Sequence, residues 1–93
     1  MGNHGWGNNE KQNYTRANKA NARVNGSKLI IEARKEKTDS VQYSSARLVT
    51  RGKASWQYGK LLVRARLPKG LGSWPAIWML ADDMKQWPDD GEI

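Results

Sequence analysis

The 93 residues contain no cysteine, no phenylalanine and a single histidine, His4. Without cysteine there is no disulfide framework and no thiolate metal site, and one histidine leaves no ligand set for zinc. No Ser/His/Asp arrangement, phosphate-cradling glycine loop or dinucleotide fingerprint can be assembled. No apolar run reaches transmembrane length, and no signal-peptide pattern opens the chain. A myristoylation signal is excluded because Trp6 stands where Ser or Thr is wanted, so no membrane partner is expected. Acidic residues are few, nine against sixteen Lys and Arg, for a net charge of +7. The basic residues never run longer than two, and alternation such as Lys60, Arg64 and Arg66 is what a solvated sheet face produces. Nucleic acid is therefore not the expected partner, and a basic nucleic-acid-binding β domain stays only as a third reading. Asp82, Asp83, Asp89 and Asp90 lack the spacing of an EF-hand loop, so no metal ligand is assigned.

Tryptophan is the abundant aromatic, with five in the chain, and three of them fall within the last twenty-two residues at Trp74, Trp78 and Trp87. The indole N–H needs a partner when buried, so this number suggests a ligand platform as well as packing. Alternation places Trp74, Ala76, Trp78 and Leu80 on one face of a strand, with Pro75, Ile77 and Met79 on the other. An Asp-, Met- and Trp-rich loop follows, with a single helical turn as the most regular structure over Ala81–Gln86. Gly91-Glu92-Ile93 then reads as the opening of a further strand.

Earlier in the chain, residues 1–22 show little periodicity and read as a loop or a peripheral strand. Within them Gly5-Trp6-Gly7-Asn8-Asn9-Glu10 joins an aromatic to two amides and a carboxylate, which suits either a polar ligand wall or a surface loop. Asn25-Gly26 signals a hairpin between Ala22-Arg23-Val24 and the run from Lys28 to Arg34. Lys35–Asp39 reads as a polar break, Val41–Thr50 as an alternating strand, and Tyr58–Leu67 as the clearest strand. The latter carries Leu61, Val63, Ala65 and Leu67 on one face. Asn13 and Asn25 lie in N-glycosylation tripeptides that an Asn-rich stretch produces by chance. The pattern is all-β, of the sandwich or barrel kind.

Sugars present apolar faces to Trp and hydroxyl rims to amides, carboxylates and Arg. Cleaving a glycosidic bond takes two flanking carboxyl groups. The order GNNE, NG, LIIEARKE, SARLVTRGK, WQYGKLLVRARLP, GSWPAIWML and WPDDGEI resembles the family 16 glycoside hydrolases, in particular the laminarinase-type endo-β-1,3-glucanases. The resemblance implies that residues 1–93 are the N-terminal portion of a single jelly-roll catalytic domain, a two-sheet β-sandwich incomplete in this chain. It implies a fragment of a retaining endo-β-1,3(4)-glucanase, inactive by itself. A complementary polypeptide would supply the remaining strands, as in a split or modular protein. Glu92 would be the nucleophile, with the assisting Asp and the acid/base Glu expected beyond Ile93. Trp87, Trp74, Trp78, Asn8, Asn9, Glu10 and Arg47 would contact the β-glucan, although Trp74 and Trp78 serve equally as core.

No cofactor is required on this reading. Some members of the family bind a structural calcium, whose ligands cannot be placed on these residues. Leu62 departs from the family pattern, which often has an acidic residue there. A secreted location is implied for the parent enzyme. The alternative is a non-catalytic β-glucan-binding module on the same fold.

Overall fold

The structure, a computed structural model, describes residues 2–38 and 40–93, with nothing assigned to the side chain of Thr38. It divides into two compact units, Met1–Val49 and Thr50–Ile93.

The first unit opens with a short 3-10 turn, Gly5–Gly7, and then, among the described residues, carries five strands. These are β1 (Gln12–Tyr14), β2 (Ala22–Asn25), β3 (Lys28–Ile31), β4 (Arg34–Thr38) and β5 (Val41–Ser45). Strands β2 and β3 form the hairpin expected from Asn25-Gly26, with Asn25 opposite Lys28. The two turn residues are therefore Gly26 and Ser27, one position later than Asn-Gly suggests. Gly26, at φ 59°, occupies the first central position, where a two-residue turn of the II′ kind requires a left-handed φ.

A second sheet has the order β1-β5-β4, with β1 parallel and β4 antiparallel to β5. Strand β4 replaces the polar break expected over Lys35–Asp39. Its charges suit an edge strand, because Lys35 and Lys37 are exposed while Glu36 is half-buried against β5. The register between β4 and β5 shifts between Lys35 and Thr38. Strand β5 stops at Ser45 rather than continuing to Thr50. Its partners run out there, since Ser45 pairs with the last residue of β1 and Ser44 with the first of β4.

Among the described residues no apolar side chain is buried; the buried ones are Asn13, Asn21 and Ser44. Asn21 is the centre of this polar core. Its backbone N–H donates to Asn18 O at 3.0 Å, and its carbonyl accepts from Glu32 N at 2.8 Å. Its side-chain oxygen accepts from Thr15 Oγ1 at 2.7 Å, and its amide nitrogen donates to Glu32 O at 3.1 Å and Ser44 Oγ at 2.9 Å. Ser44 in turn donates to Glu36 Oε1. One asparagine thus ties together the turn before β2, the end of the hairpin and strand β5.

The second unit is turns and extended chain. Lys53 N and Ala54 N both donate to Thr50 O, forming the turn expected at Gly52–Ser55. Ser73 N and Oγ donate to Gly70 O, closing the turn expected after Pro68. Between these turns the Tyr58–Leu67 segment makes no ladder with any described residue. Alternation makes a segment fit to be a strand; a strand also needs a neighbour to bond to. Among the described residues, the one β pairing of this unit brings Leu80 opposite Glu92 in an antiparallel bridge. Met79 and Ile93 beside it exchange backbone hydrogen bonds of 2.9 and 3.1 Å.

Candidate active site

Two groups of candidate residues take shape, one in each unit. In the first, Gly5 (φ 76°), Trp6 (φ 48°) and Gly7 (φ 76°) all adopt left-handed backbone, which needs the glycines either side of Trp6. The turn is held by Glu10 N and Asn8 N donating to Gly5 O at 3.1 and 2.9 Å. Trp6 N donates to His4 Nδ1 at 3.3 Å, and the two rings lie 4.3 Å apart. The Arg47 guanidinium carbon sits 4.5 Å from the Trp6 ring centroid, a cation–π contact, and Tyr14 meets the same indole edge-on at 5.6 Å.

Glu10 anchors the polar side of this cluster. Its Oε2 accepts from Tyr14 Oη at 2.7 Å and from Gln12 Nε2 at 2.9 Å. Gln12 Nε2 also lies 2.7 Å from Tyr14 Oη, and Asn8 Nδ2 reaches Glu10 Oε1 at 3.5 Å and Trp6 O at 3.3 Å. Burial, reinforced by the hydrogen bond to Glu10, raises the Tyr14 phenol above its ordinary value of 10.0. Asn9 is exposed at φ 55°, a conformation that asparagine tolerates.

The structure therefore gathers Asn8, Glu10 and Arg47 around Trp6. The sequence points to the Gly-Trp-Gly turn and to Tyr14 as an anchor, but not to Gln12 or Tyr14 as members of a site. Their signal was the alternation itself: Glu10, Gln12 and Tyr14 are spaced by two, which puts them on one side of an extended chain.

In the second unit, Glu92 is exposed at the Leu80 bridge. Trp87 Nε1 donates to Glu92 Oε2 at 2.7 Å. The loop between them is closed on itself. Asp90 Oδ2 accepts from Lys85 N at 2.6 Å and Gln86 N at 2.8 Å, and these bonds, Gln86 first, hold its carboxyl below the ordinary 3.8. Asp90 N donates to Gln86 O, and Gly91 N to Pro88 O. Where a helical turn was expected over Ala81–Gln86, the backbone bond of helical kind is Met84 N to Ala81 O at 3.3 Å. Trp74 and Trp78 lie upstream of the bridge; Trp74 is 71% exposed and Trp78 37%. Among the described residues no group of three or more His, Asp or Glu is placed to hold a metal ion. No helix is long and apolar enough to cross a membrane.

Residues 4–93 match the family described as XgeA-like, catalytic GH16 domain. The chain belongs to glycoside hydrolase family 16.

Among its family 16 relatives, a beta-glucanase of Rhodothermus marinus is 62% identical over 97 aligned positions, covering all of this chain and 34% of the relative. A glucan endo-1,3-beta-glucosidase of Cryptopygus antarcticus is 45% identical, again over the whole chain and 36% of the relative. The X-ray structure of the laminarinase from Rhodothermus marinus superposes with a TM-score of 0.93 at 61% identity, covering 99% of this chain and 38% of that one. The chain thus spans about a third of the length of these proteins. Its all-β architecture is that of part of the family 16 jelly roll, as the resemblance implied.

Proposed function

We propose that this chain is the N-terminal portion of a single jelly-roll catalytic domain in a retaining endo-β-1,3(4)-glucanase acting on laminarin-type β-glucans. The observation that carries the reading is the match to the laminarinase structure across 99% of the chain, beside the family match over residues 4–93, which takes in Trp87 and Glu92. Glu92 attacks the anomeric carbon and forms a glycosyl-enzyme. An acid/base carboxyl outside these 93 residues protonates the departing sugar oxygen, then activates the water that releases the product. Trp87, Trp74 and Trp78 offer faces to the sugar rings. The Trp6–Arg47 pair with Asn8, Asn9 and Glu10 offers amide, carboxylate and guanidinium groups to glucan hydroxyls. The remaining strands come from a complementary segment, a view supported by the exposed apolar residues of Tyr58–Leu67.

The test is Glu92→Gln in the full-length protein that carries this chain. Turnover of laminarin is expected to vanish while binding persists, because the amide keeps the shape but cannot act as the nucleophile. Retention of more than a few per cent of activity overturns the assignment. A full-length protein that binds glucan and never cleaves it is instead a glucan-binding module.

A further inference from the structure

We propose that Trp87 is a positioning residue for the Glu92 carboxylate, acting through its indole N–H, and that Asp90 holds the loop that delivers it. The proposal rests on the reading of Glu92 as the nucleophile.

A nucleophilic carboxylate must present one oxygen to the reacting carbon along a defined line, and a misplacement of about 1 Å can cost on the order of a hundredfold in rate. An exposed glutamate has several rotamers and has to be restrained by its surroundings. Glu92 is exposed, and its backbone is fixed by the Leu80 bridge and the Met79–Ile93 hydrogen bonds. Its side chain is then fixed by Trp87 Nε1 at 2.7 Å on Oε2. The indole reaches one oxygen and leaves Oε1 for a reacting atom. Indole N–H is a donor with no acceptor capacity, so the contact it makes is with an accepting oxygen of Glu92.

The donor is delivered by a loop with internal ties. Asp90 Oδ2 gathers the N–H groups of Lys85 and Gln86, and Asp90 N returns a bond to Gln86 O. Trp87 follows directly after those two residues, and Glu92 lies two residues after Asp90. The clamp therefore sets the separation between donor and acceptor, and it leaves the aromatic face of Trp87 available to a sugar. The edge of the ring serves the nucleophile while the face serves the substrate.

These two roles separate in Trp87→Phe, which keeps an aromatic face and removes the N–H. In the full-length protein the positioning role predicts a kcat lower by about tenfold to a hundredfold, the weight of a hydrogen bond to a charged group, with KM changed by less than about twofold. Asp90→Ala is expected to lower kcat in the same sense. A Trp87→Phe protein with wild-type kcat overturns the proposal, since a face alone then suffices. Where Trp87→Phe fails to fold, the indole 15N–1H resonances of Glu92→Ala decide. The Trp87 signal alone is expected to move relative to wild type, and an unmoved signal overturns the contact. Turnover surviving in Glu92→Gln removes the nucleophile assignment itself. That outcome is distinct from inactive Glu92→Gln combined with fully active Trp87→Phe, which removes only the positioning role.

Discussion

Asn21 does for the first unit what an apolar core residue does elsewhere. It is fully buried, and its backbone and side chain are bonded to residues before β2, after β3 and on β5. Removing the amide leaves Thr15 Oγ1, Ser44 Oγ and the Glu32 carbonyl to find other partners. Each buried polar group left unsatisfied costs about 1–3 kcal/mol. Asn21→Ala is therefore expected to lower the stability of this unit by at least about 2 kcal/mol, read as a drop in urea midpoint without a change in slope. An exposed neighbour such as Asn18→Ala serves as the reference and is expected to cost less. None of this was legible in the sequence, where Asn21 sits in a run of Asn, Lys and Ala that reads as loop. Its partners come from positions 15, 32 and 44, and pairing at that separation leaves no local pattern. Glu92 and Trp87, which the structure joins by a hydrogen bond, were singled out from the Trp-Pro and Gly-Glu-Ile blocks, which lie within a few consecutive residues.

A stretch was readable when its bonding partners lay nearby. The β2–β3 hairpin follows from Asn25-Gly26 and two flanking apolar runs. Strand β4 was missed because five consecutive polar residues look like a break until β5 supplies Ser44 to meet Glu36. The Lys85–Gly91 loop carries the proposed positioning role, and its Asp90 clamp has a defined pH response. Asp90 has its pKa lowered from 3.8 by the N–H groups of Gln86 and Lys85. Between the folded and unfolded values the unfolded chain binds more protons, so the clamp's contribution rises with pH across that window. It is fully present above 3.8 and is lost as pH falls through the lower folded value. The amide resonances of Lys85 and Gln86 are expected to titrate together with a midpoint below 3.8. A midpoint at or above that value shows that the carboxylate does not accept these bonds in solution.

The exposed apolar surface of the chain supports the proposed complement. Leu61, Leu62, Val63 and Leu67 are all more than half exposed, as are Trp74 and Ile77. By alternation Leu61, Val63 and Leu67 fall on one side of this extended segment and Leu62 on the other, so both sides meet solvent. Exposed strand edges and contiguous apolar patches are interaction surfaces or aggregation sites. Apolar burial is worth about 25 cal/mol per Å², while ordering each residue costs roughly 1–2 kcal/mol of backbone entropy. A segment that buries neither face has little to offset that cost. The proposed occupant is the remainder of the jelly roll, with neighbours for Tyr58–Leu67 and the second catalytic carboxyl. Two results are then expected from the purified 93-residue chain. It should leave laminarin intact, and its Leu61–Leu67 amides should exchange with solvent far faster than those of the β2–β3 hairpin. In the full-length protein the same amides should become protected, because ladder bonds and burial arrive together. Strong protection of Leu61–Leu67 in the isolated monomeric chain argues against a missing sheet neighbour. Laminarin cleavage by that chain argues against a missing carboxyl, so the structural and catalytic halves of the proposal are judged separately.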